Sequence, residues 1–226
     1  VRHEFELIDG HAITVPAHAA AALTRNPNVE RVSLDEPLSA ASTPVSLSSP
    51  VGHAYPHLDT LPYSGVGIGV AVVDSGMRSH PDLKPAVSES FLSSSSKTED
   101  KYGHGNHVAG IIAGSGDHSE GPYRGIAPDA TMVSLRVLDE QGQGLTSDTI
   151  AALDWLLANR DEHNIRVANI SLGHPVFEAA ADDPLVQAVE ALWDAGVVVV
   201  CSAGNAGREG YGTITSPGNS RKGITV

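Results

Sequence analysis

From about residue 66 onward, short apolar runs alternate with segments that have the spacing of amphipathic helices. The apolar runs are nearly continuous, which is typical of strands buried on both faces of a parallel sheet. They predict strands at residues 66–73, 132–138, 167–172 and 197–202. The segments between them predict helices at 104–113 and 147–160, with Ser147 as the cap of the second.

A third helix is marked at both ends by the sequence. Asp183 is suited to cap its N-terminus, Pro184 to fill its first position and Gly196 to end it. The alternation of strands and helices predicts an α/β fold with a mostly parallel central sheet and right-handed crossovers. In such sheets functional residues collect at the carboxyl ends of the strands.

The first 38 residues have a different pattern and predict a small β-α-β piece. An extended segment starts at Phe5, an Ala-rich helix follows Pro16 as far as Leu23, and a second extended segment covers 29–34. Residues 39–50 are rich in Ser, Ala and Pro and predict a linker. We therefore expect three regions, at 1–38, 39–50 and 51–226.

Composition excludes several partners. The formal net charge of −13 argues against nucleic acid, because a phosphate-binding surface needs clustered Lys and Arg. No apolar run reaches 18 residues, so we expect no membrane span. The single cysteine, Cys201, is expected to be a small buried hydrophobic residue. The chain begins with Val1, so we expect a truncated N-terminus without its targeting segment, and a secreted parent protein.

Three polar residues stand where function is expected. Asp74 ends the first apolar run, His104 lies between two glycines before a helix, and Asn205 follows the last run. Taken singly, Asp74 could be a turn or cap residue, and Asn205 could simply occupy a left-handed turn. His104 and His107 could also be metal ligands, although the Glu of a zinc-hydrolase motif is absent between them.

Taken together, these segments resemble the subtilisin (subtilase) family of serine proteases. The series is DSGM at 74–77, HGNHVAG at 104–110, SLG at 171–173 and AGN at 203–205. HPDL at 80–83, GIAP at 125–128 and SPGN at 216–219 are similar to further parts of the family pattern. PNVERVSLDE at 27–36 resembles the end of the family's inhibitory prosegment.

The resemblance implies a fold and a set of roles. The fold would be a subtilisin-like three-layer sandwich, C-terminally incomplete and preceded by a small α+β prosegment piece. Asp74 would be the acid of a catalytic triad, His104 the general base and Asn205 the donor to the oxyanion. Polypeptide substrates would bind as an added strand, and residues 1–38 would act as an intramolecular inhibitor.

The same resemblance implies the residues that line the substrate cleft. One wall would be Ser171, Leu172 and Gly173, and the other would contain Gly142 and Gly144. The small residues Ser202, Ala203 and Gly204 predict a roomy, apolar first pocket.

The sequence departs from the family pattern in three places. Asn106 stands where the family usually has Thr, and we expect this change to be tolerated. Asp82 resembles a family calcium ligand, but the loop GSGDHSEGPYR at 114–124 does not match the loop that usually supplies the other ligands. A structural calcium ion is therefore a minor alternative, and we expect that no cofactor is required. The family nucleophile lies in a Gly-Thr-Ser-x-Ala motif, which does not occur before Val226.

We therefore expect a serine endopeptidase whose catalytic serine lies beyond this chain. Residues 1–226 by themselves should then lack turnover. Two alternatives stay open: a peptide-binding pseudoprotease without catalysis, and a metal-dependent hydrolase that uses His104 and His107.

Overall fold

The structure is a computed structural model that describes residues 1–41, 62–121, 123–210 and 212–226. Within these residues, a six-stranded sheet has the strand order β11-β10-β8-β4-β6-β5, and all its neighbouring strands are parallel. Its strands are β4 (Gly69–Asp74), β5 (Val87–Ser90), β6 (Thr131–Arg136), β8 (Ile165–Ile170), β10 (Val198–Cys201) and β11 (Ile224–Thr225).

The described ranges also contain two small sheets and four helices. The strands are β1 (His3–Phe5), β2 (Gly10–Ala12), β3 (Pro37–Ala40), β7 (Gln143–Leu145) and β9 (Leu172–Gly173). The helices are α1 (Ala17–Leu23), α2 (His104–Ala113), α3 (Thr146–Asn159) and α4 (Pro184–Asp194), with short 3-10 turns at Asp117–Ser119 and Gly207–Glu209.

Strand β4 lies in the middle of the sheet and explains where the core sits. All six of its residues are buried, because it pairs with β6 on one side and β8 on the other. Side chains on one face of the sheet pack with α3 and α4, and those on the other pack with α2. The apolar runs and the helix signals therefore led to the correct α/β fold with a parallel central sheet.

Two local expectations need correction. Ser147 does not cap helix α3, since the helix begins one residue earlier at Thr146 and Ser147 lies inside it. The cap comes from elsewhere in the chain: the Asp35 carboxylate accepts hydrogen bonds from the Ser147 N–H and hydroxyl, at 2.9 and 2.8 Å. Strand β5 was not predicted, because a sheet-edge strand with polar residues has no continuous apolar run.

The N-terminal residues fold against helix α3. Strands β1 and β2 form an antiparallel hairpin, and Phe5 from it is buried in the main core. The Arg2 guanidinium donates to Asp148 at 3.0 Å and to Asp35 at 2.9 Å. Backbone N–H groups of Glu6 and Leu7 donate to the Asp154 carboxylate of the same helix.

The second extended segment predicted at 29–34 is not a strand in the structure, where this stretch is irregular. The strand of this region lies further along, as β3, and it includes Ser39 and Ala40 from the predicted linker. β3 is the central strand of a three-stranded antiparallel sheet with β7 and β9. Residues 42–50 of the predicted linker lie outside the described residues.

Candidate active site

The acidic residue of the site, Asp74, is the last residue of β4 and is completely buried. Both of its carboxylate oxygens lie 2.8 Å from Nδ1 of His104. The Ser75 N–H and hydroxyl donate to its Oδ1 at 2.7 and 3.2 Å, and the same hydroxyl accepts from the Gly105 N–H at 2.9 Å. Because a buried charge needs hydrogen-bond partners, this arrangement suits an ionised carboxylate beside an imidazole.

His104 reaches Asp74 because two glycines allow helix α2 to come close. Gly103 caps the helix with φ at 97°, in the left-handed region that glycine adopts without strain. Gly105 lies against the backbone carbonyl of Gly76, where no side chain would fit. The glycines that flank His104 in the sequence thus explain the close approach of the helix to the end of β4.

The pKa of His104 is raised above the ordinary value of histidine, chiefly by the hydrogen bond to Asp74. Burial lowers this pKa, while the charge of Asp74 and a hydrogen bond to the backbone of Ala41 raise it. A backbone group raises the pKa of an imidazole only when it accepts a hydrogen bond from the ring. The group of Ala41 that has this effect on His104 is therefore its carbonyl oxygen.

Two residues that sequence reasoning did not assign a role hold the start of helix α2 in place. Asp100 is buried, and its carboxylate accepts from the N–H groups of Gly103 at 2.7 Å and Asn106 at 2.8 Å. The Asn106 side-chain oxygen accepts from the Arg78 N–H at 2.6 Å, which ties the helix to the loop after β4. An acid four residues before His104 is a capping signal that could have indicated Asp100.

Strand β3 lies between the two segments predicted to be cleft walls. On one side, Leu38 pairs with Gly144 in β7, and the Ala40 N–H donates to the Gly142 carbonyl at 3.0 Å. Leu38 is buried in the main core, and its side chain lies against Gly144. The wall at 142–144 therefore already holds an extended segment of the same chain.

The other wall binds the same strand. Leu172 and Gly173 form β9 and pair with Ala40 and Ser39 of β3. The Ala41 N–H donates to the carbonyl of Ser171 at 2.9 Å. Together with the contact between Ala41 and His104, this register places the end of the bound segment beside the Asp74–His104 pair.

The turn after β10 carries the remaining predicted residues. The Ser202 hydroxyl accepts from the Gly204 N–H at 3.0 Å, and the Ala203 carbonyl accepts from the Thr215 N–H at 3.2 Å. Asn205 is exposed on this turn. Its role as an oxyanion donor stays a prediction. Thr215 gave no signal in the sequence, and its side chain lies against Gly204.

The surroundings of Asp82 do not suit a calcium ion. Its Oδ1 accepts from the Ser115 hydroxyl at 3.0 Å and from the His118 N–H at 2.9 Å, and the His118 bond is the main reason that the pKa of Asp82 is lowered. Calcium needs six to eight oxygen ligands. The loop instead presents donors to the carboxylate, and the His80 imidazole lies near its other oxygen at 3.9 Å.

The metal alternative has no ligand set where the chain is described. Among those residues, no three His, Cys, Asp or Glu side chains are grouped so that they could hold a metal ion. Burial raises the pKa of Cys201 to about 12, which agrees with a buried thiol of low reactivity. The helices of the described ranges include none that is long and apolar enough to cross a membrane.

An Asp–His pair at the strand ends of a parallel sheet, beside an extended segment held between two strand-forming walls, defines a peptidase-like site. The family comparison agrees with this class. The chain belongs to the subtilase family, Peptidase_S8, whose sequence model matches residues 65–226.

Curated relatives include one named as a serine protease and one named as a subtilisin. The chain is 36% identical over 222 residues to "Serine protease AprX" of Bacillus subtilis (strain 168), covering 95% of this chain and 50% of the relative. It is 35% identical over 214 residues to "Subtilisin E" of the same strain, covering 93% and 53%. The chain thus spans about half the length of the curated relatives it matches.

A solved structure supports the fold. The crystal structure of a cold-adapted subtilisin-like serine proteinase matches with a TM-score of 0.60 and 32% sequence identity. The match covers 73% of this chain and 55% of that one. This similarity confirms the subtilisin-like α/β sandwich.

Proposed function

We propose that the chain is part of a serine endopeptidase that cleaves polypeptides with an Asp-His-Ser triad. The observation that carries the proposal is the buried Asp74 carboxylate bound to Nδ1 of His104. A general base must offer its free nitrogen to the reacting group, and because Asp74 holds Nδ1, that nitrogen is Nε2 when the N-terminal segment does not contact it.

Each residue then has a defined step. His104 Nε2 removes the proton of the serine hydroxyl while the serine oxygen attacks the substrate carbonyl carbon. Asp74 fixes the tautomer and stabilises the imidazolium that forms. Asn205 donates to the oxyanion of the tetrahedral intermediate, and His104 then returns the proton to the leaving amine as the carbon–nitrogen bond breaks.

We also propose that residues 1–41 are the inhibitory prosegment of this enzyme. Strand β3 fills the space between the two walls as a substrate strand would, by main-chain pairing on both sides. The Ala41 N–H donates to the carbonyl of Ser171 at 2.9 Å, at the end of this bound strand, so we place the bond that is cut on maturation after Ala41. We place the catalytic serine in a further part of the parent protein, and we expect that protein to be secreted.

The test compares residues 1–226 with the complete gene product on an unstructured protein substrate. We expect activity from the complete protein, abolished by a serine-directed phosphonylating reagent and by His104→Ala, and background hydrolysis from residues 1–226. An inactive complete protein that still binds peptides would favour the pseudoprotease. Activity that resists the reagent would favour the metal-dependent alternative.

A further inference from the structure

We propose that Arg136 is a positioning residue of the active site. Its buried guanidinium holds residues 97–100 beside the loop that follows strand β4. Through Asp100, this segment fixes the start of helix α2 and with it His104. The inference rests on the proposed function, because the position of His104 matters for catalysis only if its pair with Asp74 is catalytic.

Arg136 lies beside Asp74 at the carboxyl end of the sheet. It is the last residue of β6, it pairs with Asp74 in the register of β4 and β6, and it is only 2% exposed. Register partners in neighbouring strands direct their side chains to the same face of a sheet, which here is the face that packs with helix α2. The burial of a guanidinium costs free energy that its hydrogen bonds have to offset.

The guanidinium of Arg136 binds main-chain groups. Its Nε donates to the Leu138 carbonyl at 3.1 Å, and its Nη1 donates to the Lys97 carbonyl at 2.8 Å. The backbone carbonyl of Arg136 accepts from the Phe91 N–H at 2.9 Å. Arg136 therefore holds both ends of the loop at 91–97, one through its side chain and the other through its main chain.

The segment after this loop packs against Gly76, which follows β4. A methyl group on Gly76 would lie 3.2 Å from Cδ of Arg136 and 3.3 Å from the Asp100 nitrogen, and it would clash with the carbonyl oxygen of Thr98. The carbonyl of Gly76 in turn lies against Gly105 of helix α2. The stem of Arg136 and the backbone of the segment thus lie on the same side of Gly76, within reach of the helix.

Asp100 links the segment to helix α2. Its carboxylate accepts from the N–H groups of Gly103 and Asn106, on either side of His104 in the sequence. The pKa of His104 is raised chiefly by the hydrogen bond to Asp74, and the charge of Asp100 adds to this effect. If Asp100 is released, the start of the helix should loosen and the pKa of His104 should fall.

The first experiment compares two substitutions of Arg136 in residues 1–226. In Arg136→Gln, the side-chain amide nitrogen takes the place of Nε and can still donate to Leu138, but the bond to Lys97 and the charge are lost. In Arg136→Lys, a charged donor remains that can reach the Lys97 carbonyl. The two variants therefore separate the contact with the segment from the contact with Leu138.

Arg136→Gln should release the segment. We expect the amides of Gly103 and Asn106 to exchange with solvent at least about tenfold faster, as for a region that opens locally. The pKa of His104, measured by NMR, should fall towards the ordinary value of histidine. Arg136→Lys should keep both properties close to those of the wild type.

Asp100→Ala tests whether Arg136 acts through Asp100. This substitution alone should lower the pKa of His104, and the addition of Arg136→Gln should lower it little further, because residues that act through one another are not additive. Equal effects of Arg136→Gln with and without Asp100 would overturn the inference.

The amide of Val72 in β4 reports whether the sheet is intact. Wild-type exchange at Gly103 and Asn106 in Arg136→Gln, with a wild-type pKa of His104, would overturn the inference. Equally faster exchange at Val72, or loss of the fold, would show that Arg136 only stabilises the sheet and would likewise overturn it.

The second experiment measures peptide hydrolysis by the complete gene product. Arg136→Gln should lower kcat by at least about tenfold without raising KM, because a misplaced base slows the chemical step. Arg136→Lys should retain kcat. The matched control is Arg160→Gln, which removes a guanidinium that donates to the Ala195 carbonyl at the far end of helix α3 and should leave kcat unchanged.

The kinetic outcomes separate this inference from the proposed function. Wild-type kcat in Arg136→Gln, or a change in KM alone, would overturn the inference. Inactivity of the wild-type complete protein, with the exchange and pKa results as expected, would overturn only the proposed function.

Discussion

Asp74→Asn is the substitution that tests the catalytic pair most directly. In the structure, Nδ1 of His104 lies 2.8 Å from both oxygens of a carboxylate that is completely buried. The asparagine has no charge, and its amide group donates a hydrogen bond to Nδ1, which moves the ring proton to Nε2. We therefore expect the pKa of His104 to fall and its neutral tautomer to change.

The magnitude follows from the linkage between pKa and free energy. Each unit by which the pKa of His104 falls corresponds to about 1.4 kcal/mol of lost stabilisation of the imidazolium. In the complete enzyme the wrong tautomer should lower kcat by about 10⁴-fold, which is the size of the effect of an Asp-to-Asn change in the triad of a serine protease. The effect on catalysis should thus be much larger than the effect on folding.

The assay is a pH titration of the His104 imidazole by NMR in residues 1–226. The matched control is Ser75→Ala, which removes a hydroxyl donor to Asp74 but keeps the carboxylate, so the pKa of His104 should stay raised. A His104 pKa in Asp74→Asn that equals the wild-type value would refute the assignment of Asp74 as its partner.

The same shift has a consequence for stability. Because the pKa of His104 is higher in the folded chain than in the unfolded chain, where it is about 6.5, the bond to Asp74 contributes fully below that pH. The contribution is lost as the pH rises through the folded-state pKa. The free energy of unfolding should therefore decline above about pH 6.5 in the wild type and less so in Asp74→Asn.

Three further substitutions test contacts around the site. Asn106→Ala removes the acceptor of the Arg78 N–H and should lower the free energy of unfolding, measured by urea denaturation, by about 1 kcal/mol. An unchanged midpoint of the urea transition would contradict that contact. Asp35→Ala removes the cap of helix α3 and should cost about 1 kcal/mol, whereas Glu30→Ala, an exposed acid of the same segment, should cost far less. Asp82→Asn should lower the melting temperature, while calcium and EDTA should leave the wild-type value unchanged; stabilisation by calcium would show that the loop holds the ion after all.

Features set by neighbouring residues could be predicted from the sequence. Asp183 caps helix α4 by accepting from the N–H groups of Leu185 and Val186, and Pro184 opens the helix, as the sequence signals indicate. The buried strand β4 was visible as an apolar run that ends in Asp74. These predictions depend only on local preferences and on burial, which short segments of sequence record.

Features that depend on distant parts of the chain could not be predicted in the same way. The cap of helix α3 comes from Asp35, which is 112 residues from Ser147 in the sequence. Thr215 packs against Gly173 and Gly204, and no short motif in the sequence predicts that packing. The motif resemblance predicted two segments as walls of the cleft and an inhibitory N-terminal piece, but it did not indicate that residues 37–40 pair with both segments.

Residues 1–41 contact the rest of the chain in the cleft and also at several places outside it, and this has a consequence for maturation under the proposed function. Leu38 is only 2% exposed between the cleft walls, and Arg2 binds Asp148 on helix α3, whose carboxylate is 3% exposed. A cut at the carbonyl of Ala41 removes neither contact. Because the two contacts are linked by the same segment, each raises the effective concentration of the other, and the cut segment should continue to block the cleft.

The last prediction follows from this double attachment. In the complete protein, Arg2→Ala should shorten the lag between the cut after Ala41 and the appearance of activity on an added peptide by about tenfold, because Arg2 loses its hydrogen bonds to Asp148 and Ser93 outside the segment. The control is Arg25→Ala, because the Arg25 side chain is exposed and has no hydrogen bond or ion pair within the described residues. The cut is followed by gel electrophoresis and the activity by peptide hydrolysis. An unchanged lag in Arg2→Ala would mean that the contact between Arg2 and Asp148 does not retain the cut segment, which would contradict the prediction.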